Sequence, residues 1–108
     1  MIYELRVYRA LPGRMQALLN RFQNATLRIW DKHGIRQAGF WTTELGESSN
    51  DLTYLLAWES LAEREAKWAA FVADPEWQAA RAASEASGQI VGNITSSILK
   101  PTAFSSVR

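Results

Sequence analysis

The sequence contains no cysteine and a single histidine, His33, in 108 residues. The lack of cysteine excludes disulfides, thiolate nucleophiles and cysteine metal sites. One imidazole without cysteine partners also argues against a zinc or blue-copper site, although a single histidine is enough to bind haem iron. We therefore expect a protein without a metal or cofactor, and haem is the one exception that the sequence leaves open.

An excess of charge of either sign is missing as well. Twelve lysine and arginine residues face eleven acidic residues, which leaves a formal net charge of +1, and no segment gathers the positive charge. Nucleic acids and anionic membranes are not expected as partners, because their capture needs several concentrated positive charges.

A long apolar run is absent from the start of the chain. The opening decapeptide MIYELRVYRA alternates and carries charges at Glu4 and Arg6, so it predicts neither a signal peptide nor a membrane span. We expect a cytoplasmic protein. P-loop and dinucleotide-binding glycine patterns are also missing, and no serine stands beside an evident base.

The order of the periodic segments predicts the fold of one domain, residues 1–108. Residues 2–9 alternate as a strand does, whereas apolar residues between Met15 and His33 recur in steps of three and four, as in a helix that ends at Gly34. The later segments predict a hairpin (35–45 and 52–58), a helix capped by Ser60 and Glu63 (61–73), a second helix after Asp74-Pro75 and a last strand (89–99). This is the ferredoxin-like βαββαβ order, an α+β fold with both helical connections on one face of a four-stranded antiparallel sheet.

Both faces of the predicted sheet carry large apolar side chains. In the first strand Tyr3, Leu5 and Val7 point to one side, while Ile2 and Tyr8 point to the other. A sheet face in water should be polar, so the face without helices needs a cover. We expect that cover to be a second copy, in a homodimer that packs sheet against sheet, with the tail around Phe104 reaching the partner.

Several segments together resemble the NIPSNAP family, within the dimeric α+β barrel group. They are YELRVY in the first strand, PGR before the first helix, HG followed by GFWTTELGE, then WESLAERE, DPEWQA and SILKP leading to FS. The resemblance implies the same fold and the same sheet-to-sheet dimer. It implies little about chemistry, because the wider barrel group includes cofactor-free monooxygenases, isomerases and haem-degrading proteins.

Two groups of residues are candidates for catalysis. His33 in the last turn of the first helix either caps that helix as a cation or transfers protons at a pocket mouth between helices and sheet. Glu4, Arg6 and Tyr8 project from one face of the first strand and offer a base, an anion clamp and a hydrogen-bond donor. The alternative for this second group is a structural ion pair between strands within the dimer interface.

The hairpin supplies the candidate ligand-binding residues Trp41, Glu44, Tyr54 and Trp58, since aromatic walls with one carboxylate suit a flat apolar compound. Plain core packing is the alternative for these four. The other tryptophans are assigned to the core: Trp30, Trp68 and Trp77.

Two functional hypotheses follow. The first is a small-molecule binder or a cofactor-free enzyme, acting by proton abstraction or oxygenation on a partly apolar or aromatic compound. The alternative is a noncatalytic homodimeric interaction module. No activated nucleophile is evident in the sequence, which argues against hydrolysis.

Overall fold

The alternating first segment forms the centre of the sheet. β1 (Ile2–Ala10) pairs antiparallel with β3 (Asp51–Trp58) on one side and with β4 (Val91–Leu99) on the other, and β2 (Arg36–Thr42) adds to the outer edge of β3. The strand order is therefore β2-β3-β1-β4. The computed structural model describes all 108 residues, and it confirms the predicted α+β, ferredoxin-like arrangement.

The helices lie in one layer on one face of this sheet. They are α1 (Met15–Arg21), a π-helical segment (Phe22–Thr26), α2 (Leu27–His33), α3 (Leu61–Val72) and α4 (Pro75–Ser84). Ser60 caps α3 and Asp74 caps α4 through the backbone N–H groups of Glu63 and Glu76, as the sequence predicts. None of these helices combines the length and the apolar character needed to cross a membrane.

The first helix contains a π turn that the sequence pattern does not predict. Its buried residues Leu18, Phe22, Thr26 and Trp30 recur every four positions, a spacing that drifts by about 40° per step around an α-helix. The wider turn over Phe22–Thr26 takes up this drift. All four side chains therefore stay on the side that packs against the sheet.

The register of the strands decides which side chains meet the helices. The buried alternate residues of β3 lie opposite Glu4, Arg6 and Tyr8 of β1, and all of them face the helix layer. Phe71 fills the core beneath α3, whereas its neighbour Val72 is exposed because consecutive helical residues point about 100° apart. Leu61, the first residue of α3, is exposed as well.

A bulge in β2 breaks the predicted alternation. Gln37 pairs with Leu56 and Phe40 pairs with Tyr54, so three steps along β2 match two steps along β3. Gly39 lies in this bulge at φ 124°, and a Cβ there would stand 2.6 Å from Cη2 of Trp41. The strand ends at Thr42, before the predicted end at residue 45.

Gly39→Ala is expected to destabilise the protein by about 1–3 kcal/mol, because alanine does not favour this φ and its methyl group collides with the Trp41 ring. Urea unfolding followed by circular dichroism measures the change. The matched control is Gly46→Ala in the same hairpin, which has no positive φ and whose Cβ would meet only the side-chain methyl group of Thr43, at 3.0 Å, so its loss should be clearly smaller. Equal losses in both variants would contradict the assigned strain.

Candidate functional site

The helix layer leaves an open-sided cavity of about 650 Å³ over β1 and β4. Arg6, Tyr8, Arg21 and Phe71 are buried residues that form its floor. Two half-buried tryptophans from the helices form its walls: Trp68 of α3 and Trp77 of α4. The volume falls within the range of small-molecule sites, roughly 300–1,000 Å³.

Beside the cavity, the carboxylate of Glu4 is completely buried and fully hydrogen-bonded. It accepts from Arg6 Nη1 at 2.9 Å, from Arg64 Nε and Nη2 at 2.8 and 3.0 Å, and from Trp58 Nε1 at 3.1 Å. The hydroxyl of Ser96 donates a further hydrogen bond. These partners come from three strands and α3, so Glu4 joins the sheet to the helix layer.

The charge of Glu4 is strongly stabilised. Burial by itself would raise its pKa, but the hydrogen bonds from Arg64, Ser96, Arg6 and Trp58 outweigh it and lower the pKa from 4.5 to about 2. A carboxylate of such low basicity, with its lone pairs already occupied, is placed to anchor Arg6 and Arg64.

Arg6, which Glu4 holds in place, lies on the cavity floor. Its Nε donates to the hydroxyl of Tyr54 at 2.8 Å, and its Nη2 donates to the hydroxyl of Tyr8 at 3.2 Å. The guanidinium carbon lies 4.6 Å from the ring centroid of Trp68. Burial would lower the pKa of Arg6, but the two tyrosine oxygens and Glu4 raise it above its ordinary value. Three of the five N–H groups of Arg6 are used in these bonds, and two remain.

Arg21, the last residue of α1, is the second arginine of the floor. Its Nη1 lies 3.4 Å from Ser84 Oγ and 3.5 Å from Glu85 Oε1, and its Nε is buried without a hydrogen-bond partner. The guanidinium carbon is 5.7 Å from the Trp77 ring centroid. Burial lowers the pKa of Arg21, because the charged form is poorly solvated.

His33 lies outside this cavity. Its Nε2 is 2.7 Å from Oδ2 of Asp74, the residue that caps α4, and its ring is 6.4 Å from that of Phe71. Lys32 Nζ contacts the same carboxylate oxygen at 2.5 Å, and together Lys32 and His33 hold the pKa of Asp74 well below its usual range. The structure therefore places His33 in a polar contact between α2 and the start of α4, outside the lining of this cavity.

The candidate residues of the hairpin are divided between three places. Tyr54 and Trp58 are fully buried and belong to the Arg6 and Glu4 hydrogen bonds. Trp41 is 52 % exposed near the outer edge of the sheet, where it lines a second open cavity with Leu19 and Leu27, and Glu44 is exposed in the loop after β2. Phe40 takes the place expected for Trp41, with its ring stacked 4.7 Å from that of Tyr54.

The family assignment agrees with this architecture. The NIPSNAP family model matches residues 3–106. The chain belongs to the NIPSNAP family. The resemblance noted in the sequence is thereby confirmed. The mouse Protein NipSnap homolog 3B is 30 % identical over 76 residues, which are 70 % of this chain and 30 % of the mouse protein. The matched part thus spans less than a third of that relative.

Solved structures of other NIPSNAP proteins have the same fold. A family protein from Agrobacterium tumefaciens is 26 % identical with a TM-score of 0.88, covering 99 % of this chain and 98 % of that one. A NIPSNAP domain protein from Burkholderia xenovorans is 28 % identical with a TM-score of 0.84, covering 97 % and 98 %. A putative antibiotic biosynthesis monooxygenase from Nitrosomonas europaea, at 7 % identity and a TM-score of 0.64 over 94 % and 98 %, shares the fold alone.

Four residues with a part in this arrangement were not among the sequence candidates: Arg21 and Trp68 line the cavity, and Arg64 and Ser96 bond Glu4. Ser96 pairs with Arg6 across β1 and β4, so the strand register was the available signal for it. Arg21 lies three residues after Leu18 and Arg64 lies four residues before Trp68, so helical spacing was the available signal for both. No group of three or more histidine, aspartate or glutamate side chains is placed to hold a metal ion.

Glu4→Gln is expected to lower the free energy of unfolding at pH 7 by roughly 3 kcal/mol, since Arg6 and Arg64 then lose their buried counter-charge. In the wild type the folded pKa of about 2 lies below the ordinary 4.5, so this stabilisation is complete above about pH 4.5 and is lost as the pH falls towards 2. The free energy of unfolding of the variant should not show this part of the pH dependence. Urea unfolding between pH 7 and 2.5 measures both effects.

Glu65→Gln, an exposed position on α3, is the matched control for the loss of one negative charge. It should keep the wild-type stability at pH 7 within about 0.5 kcal/mol. An acid dependence of Glu4→Gln equal to that of the wild type would show that Glu4 does not carry the charge linkage.

Proposed function

We propose that the protein binds a small, partly aromatic organic compound in the cavity between the helix layer, β1 and β4. The observation that carries this proposal is the combination of a volume of about 650 Å³, tryptophan walls and a floor with polar groups. Trp68 and Trp77 offer ring faces for stacking. Arg6 and Tyr8 offer hydrogen bonds that fix the orientation of a ligand.

The floor of the cavity is held in place before a ligand arrives. Glu4, Tyr54 and Tyr8 each bond a different nitrogen of Arg6, and Trp68 covers its guanidinium plane. A side chain fixed in this way loses little conformational entropy when it contacts a ligand. This preorganisation supports a binding site over an accidental gap between helices.

Binding is favoured over catalysis by the groups that line the cavity. Glu85 is the carboxylate of the lining, and it already accepts a hydrogen bond from Arg81 at 3.2 Å and lies 3.5 Å from Arg21. Glu4 is a weak base with a pKa of about 2, and His33 is outside the cavity. Proton abstraction needs a base with a pKa nearer the working pH. If the protein is an enzyme, Arg6 and Tyr8 are the groups that meet the reacting compound.

Ile94→Trp is expected to abolish ligand binding, because residue 94 lines the cavity and the indole ring would occupy it. The matched control is Ile98→Trp, four residues along the same face of β4 with a nearly equal exposure, 43 % against 45 %, but outside the cavity. His33→Ala should also keep binding. A thermal-shift screen of aromatic metabolites, confirmed by calorimetry, provides the measurement. A ligand that Ile94→Trp still binds with unchanged affinity would place the site elsewhere.

A second candidate, a homodimeric interaction module, is favoured by the helix-free face of the sheet. Leu5, Val7 and Leu55 are only half-buried there, and Leu99 on the same face is exposed. We propose a second copy as the cover, since two identical apolar faces can bury each other about a two-fold axis. Phe104 in the exposed tail is 89 % exposed and is a further candidate for contact with that copy.

Leu5→Lys is expected to convert a dimer into a monomer, because it places a charge at the centre of the apolar face, between Leu55 and Ser97. Light scattering should give twice the chain mass of 12.2 kDa for the wild type and a single chain mass for the variant. Leu61→Lys, on the exposed end of α3, is the control and should remain dimeric. A monomeric wild type at micromolar concentration would overturn the proposed dimer.

A further inference from the structure

We infer that the ligand of this cavity carries an anionic group, such as a carboxylate, and that Arg21 is its receptor. The inference rests on the proposed function, since it names the chemical class of the compound that the cavity takes. It follows from the hydrogen bonding of Arg21, from the charges that line the cavity and from the position of Arg21 on the buried face of α1, next to the π turn.

Arg21 is a buried cation whose hydrogen-bonding capacity is largely unused. Its side chain is 6 % exposed, yet its contacts with the protein are the long ones from Nη1, 3.4 Å to Ser84 Oγ and 3.5 Å to Glu85 Oε1. Good charge-assisted hydrogen bonds measure about 2.7–2.9 Å. The Nε atom has no partner at all. Buried charges are normally paired, so an arginine left in this state on a cavity floor indicates a missing anion.

The charges around the cavity are not balanced from within. Three arginines line it, Arg6, Arg21 and Arg81, against one carboxylate, Glu85. Glu85 is nearer to Arg81, at 3.2 Å, than to Arg21. Glu4 neutralises only one of its two arginine partners, Arg6 and Arg64. An anion that enters the cavity therefore gains from uncompensated positive charge, although the net charge of the whole chain is only +1.

Helical spacing explains why an arginine points into the cavity at this position, because Arg21 lies three residues after the buried Leu18 on the same face of α1. Arg21 immediately precedes Phe22–Thr26, and the Thr26 hydroxyl donates to the Arg21 carbonyl oxygen across five residues. Both Arg21 and its neighbour Phe22 are buried. Phe22 packs into the aromatic core with Tyr54, while Arg21 reaches towards Trp77 and α4. Such single π turns occur often at functional sites.

These contacts define the shape of the expected compound. A carboxylate at the terminal nitrogens of Arg21 leaves an apolar or aromatic body next to Trp77 and Trp68. Arg6 lines the same cavity and has two N–H groups without a partner in the protein, which suit a second polar atom on that body. The class is therefore an aryl or arylalkyl carboxylate.

The test compares aromatic acids with their own primary amides, which have nearly the same shape but no charge. Benzoate, 2-naphthoate and indole-3-acetate, each with its amide, are titrated by calorimetry and by 1H–15N NMR, which locates binding through the cavity residues. The wild type should bind at least one acid about tenfold or more tightly than its amide. Arg21→Met should reduce that ratio to about one while leaving the amide affinity unchanged.

Two further variants separate charge from structure. Arg28→Met removes an exposed arginine of α2 and should keep the wild-type ratio of acid to amide affinity. Arg21→Lys keeps the charge but loses the planar fork, so it should bind the acid several-fold more weakly than the wild type. If Arg21→Met does not fold, the ratio measured for the wild type and for Arg21→Lys still decides the inference.

The failures of the two proposals are distinguishable. If amides and acids bind equally well in the cavity of the wild type, the anion receptor is overturned and the proposed function stands. If neither series shifts the resonances of the cavity residues, the proposed function is overturned and this inference with it. Acid binding that maps outside the cavity also overturns the inference.

Discussion

The burial of one carboxylate, Glu4, is the constraint on which the rest of the structure depends. A charge with no exposure to water is costly unless it is paired and hydrogen-bonded. The partners are supplied by Arg6 and Trp58 within the sheet, by Ser96 at its edge and by Arg64 from α3. Every one of these side chains must arrive in register for the carboxylate to be satisfied. The network therefore fixes how α3 docks and how β4 pairs, in addition to what hydrophobic packing specifies.

The cavity follows from the same network. Arg6 is held by Glu4 on one side and by Tyr54 and Tyr8 on the others, so its guanidinium forms a rigid platform under Trp68. This guanidinium is hydrophilic and flat. The helices cover β3 more completely than they cover β4. The aromatic core lies over β3, whereas the space over β1 and β4 stays open. The hydrogen bonds of Glu4 and Arg6 thus stabilise the fold and also form the floor of the candidate site.

Much of the fold could be predicted from the sequence, because strands, helix caps and helix ends depend on residues that are close together along the chain. The alternation in β1, the caps at Ser60 and Asp74 and the glycine at the end of α2 each depend on a few neighbouring residues. The candidate site depends on which side chains of the helices point towards the sheet, and the sequence predicted only some of these side chains. Glu4, Arg6 and Tyr8 were found because one strand carries them, whereas His33, for which a helix cap and a pocket mouth were both open, lies outside the cavity lining. Arg21 was missed because apolar spacing marks Leu18 and Phe22 but does not mark a charged residue on the same buried face of α1.

The first strand also shows why polarity alone does not tell which face of a sheet meets water. In β1 the charged side, with Glu4 and Arg6, is the buried one, and the aliphatic side, with Leu5 and Val7, is the one without helices. This is the reverse of the usual pattern of an antiparallel sheet with one solvated face. On the helix side the buried charges are tolerated because each of them is paired and hydrogen-bonded. Outside, the same reversal leaves apolar side chains without a cover within the chain, which is the physical reason to look for a second copy on that face.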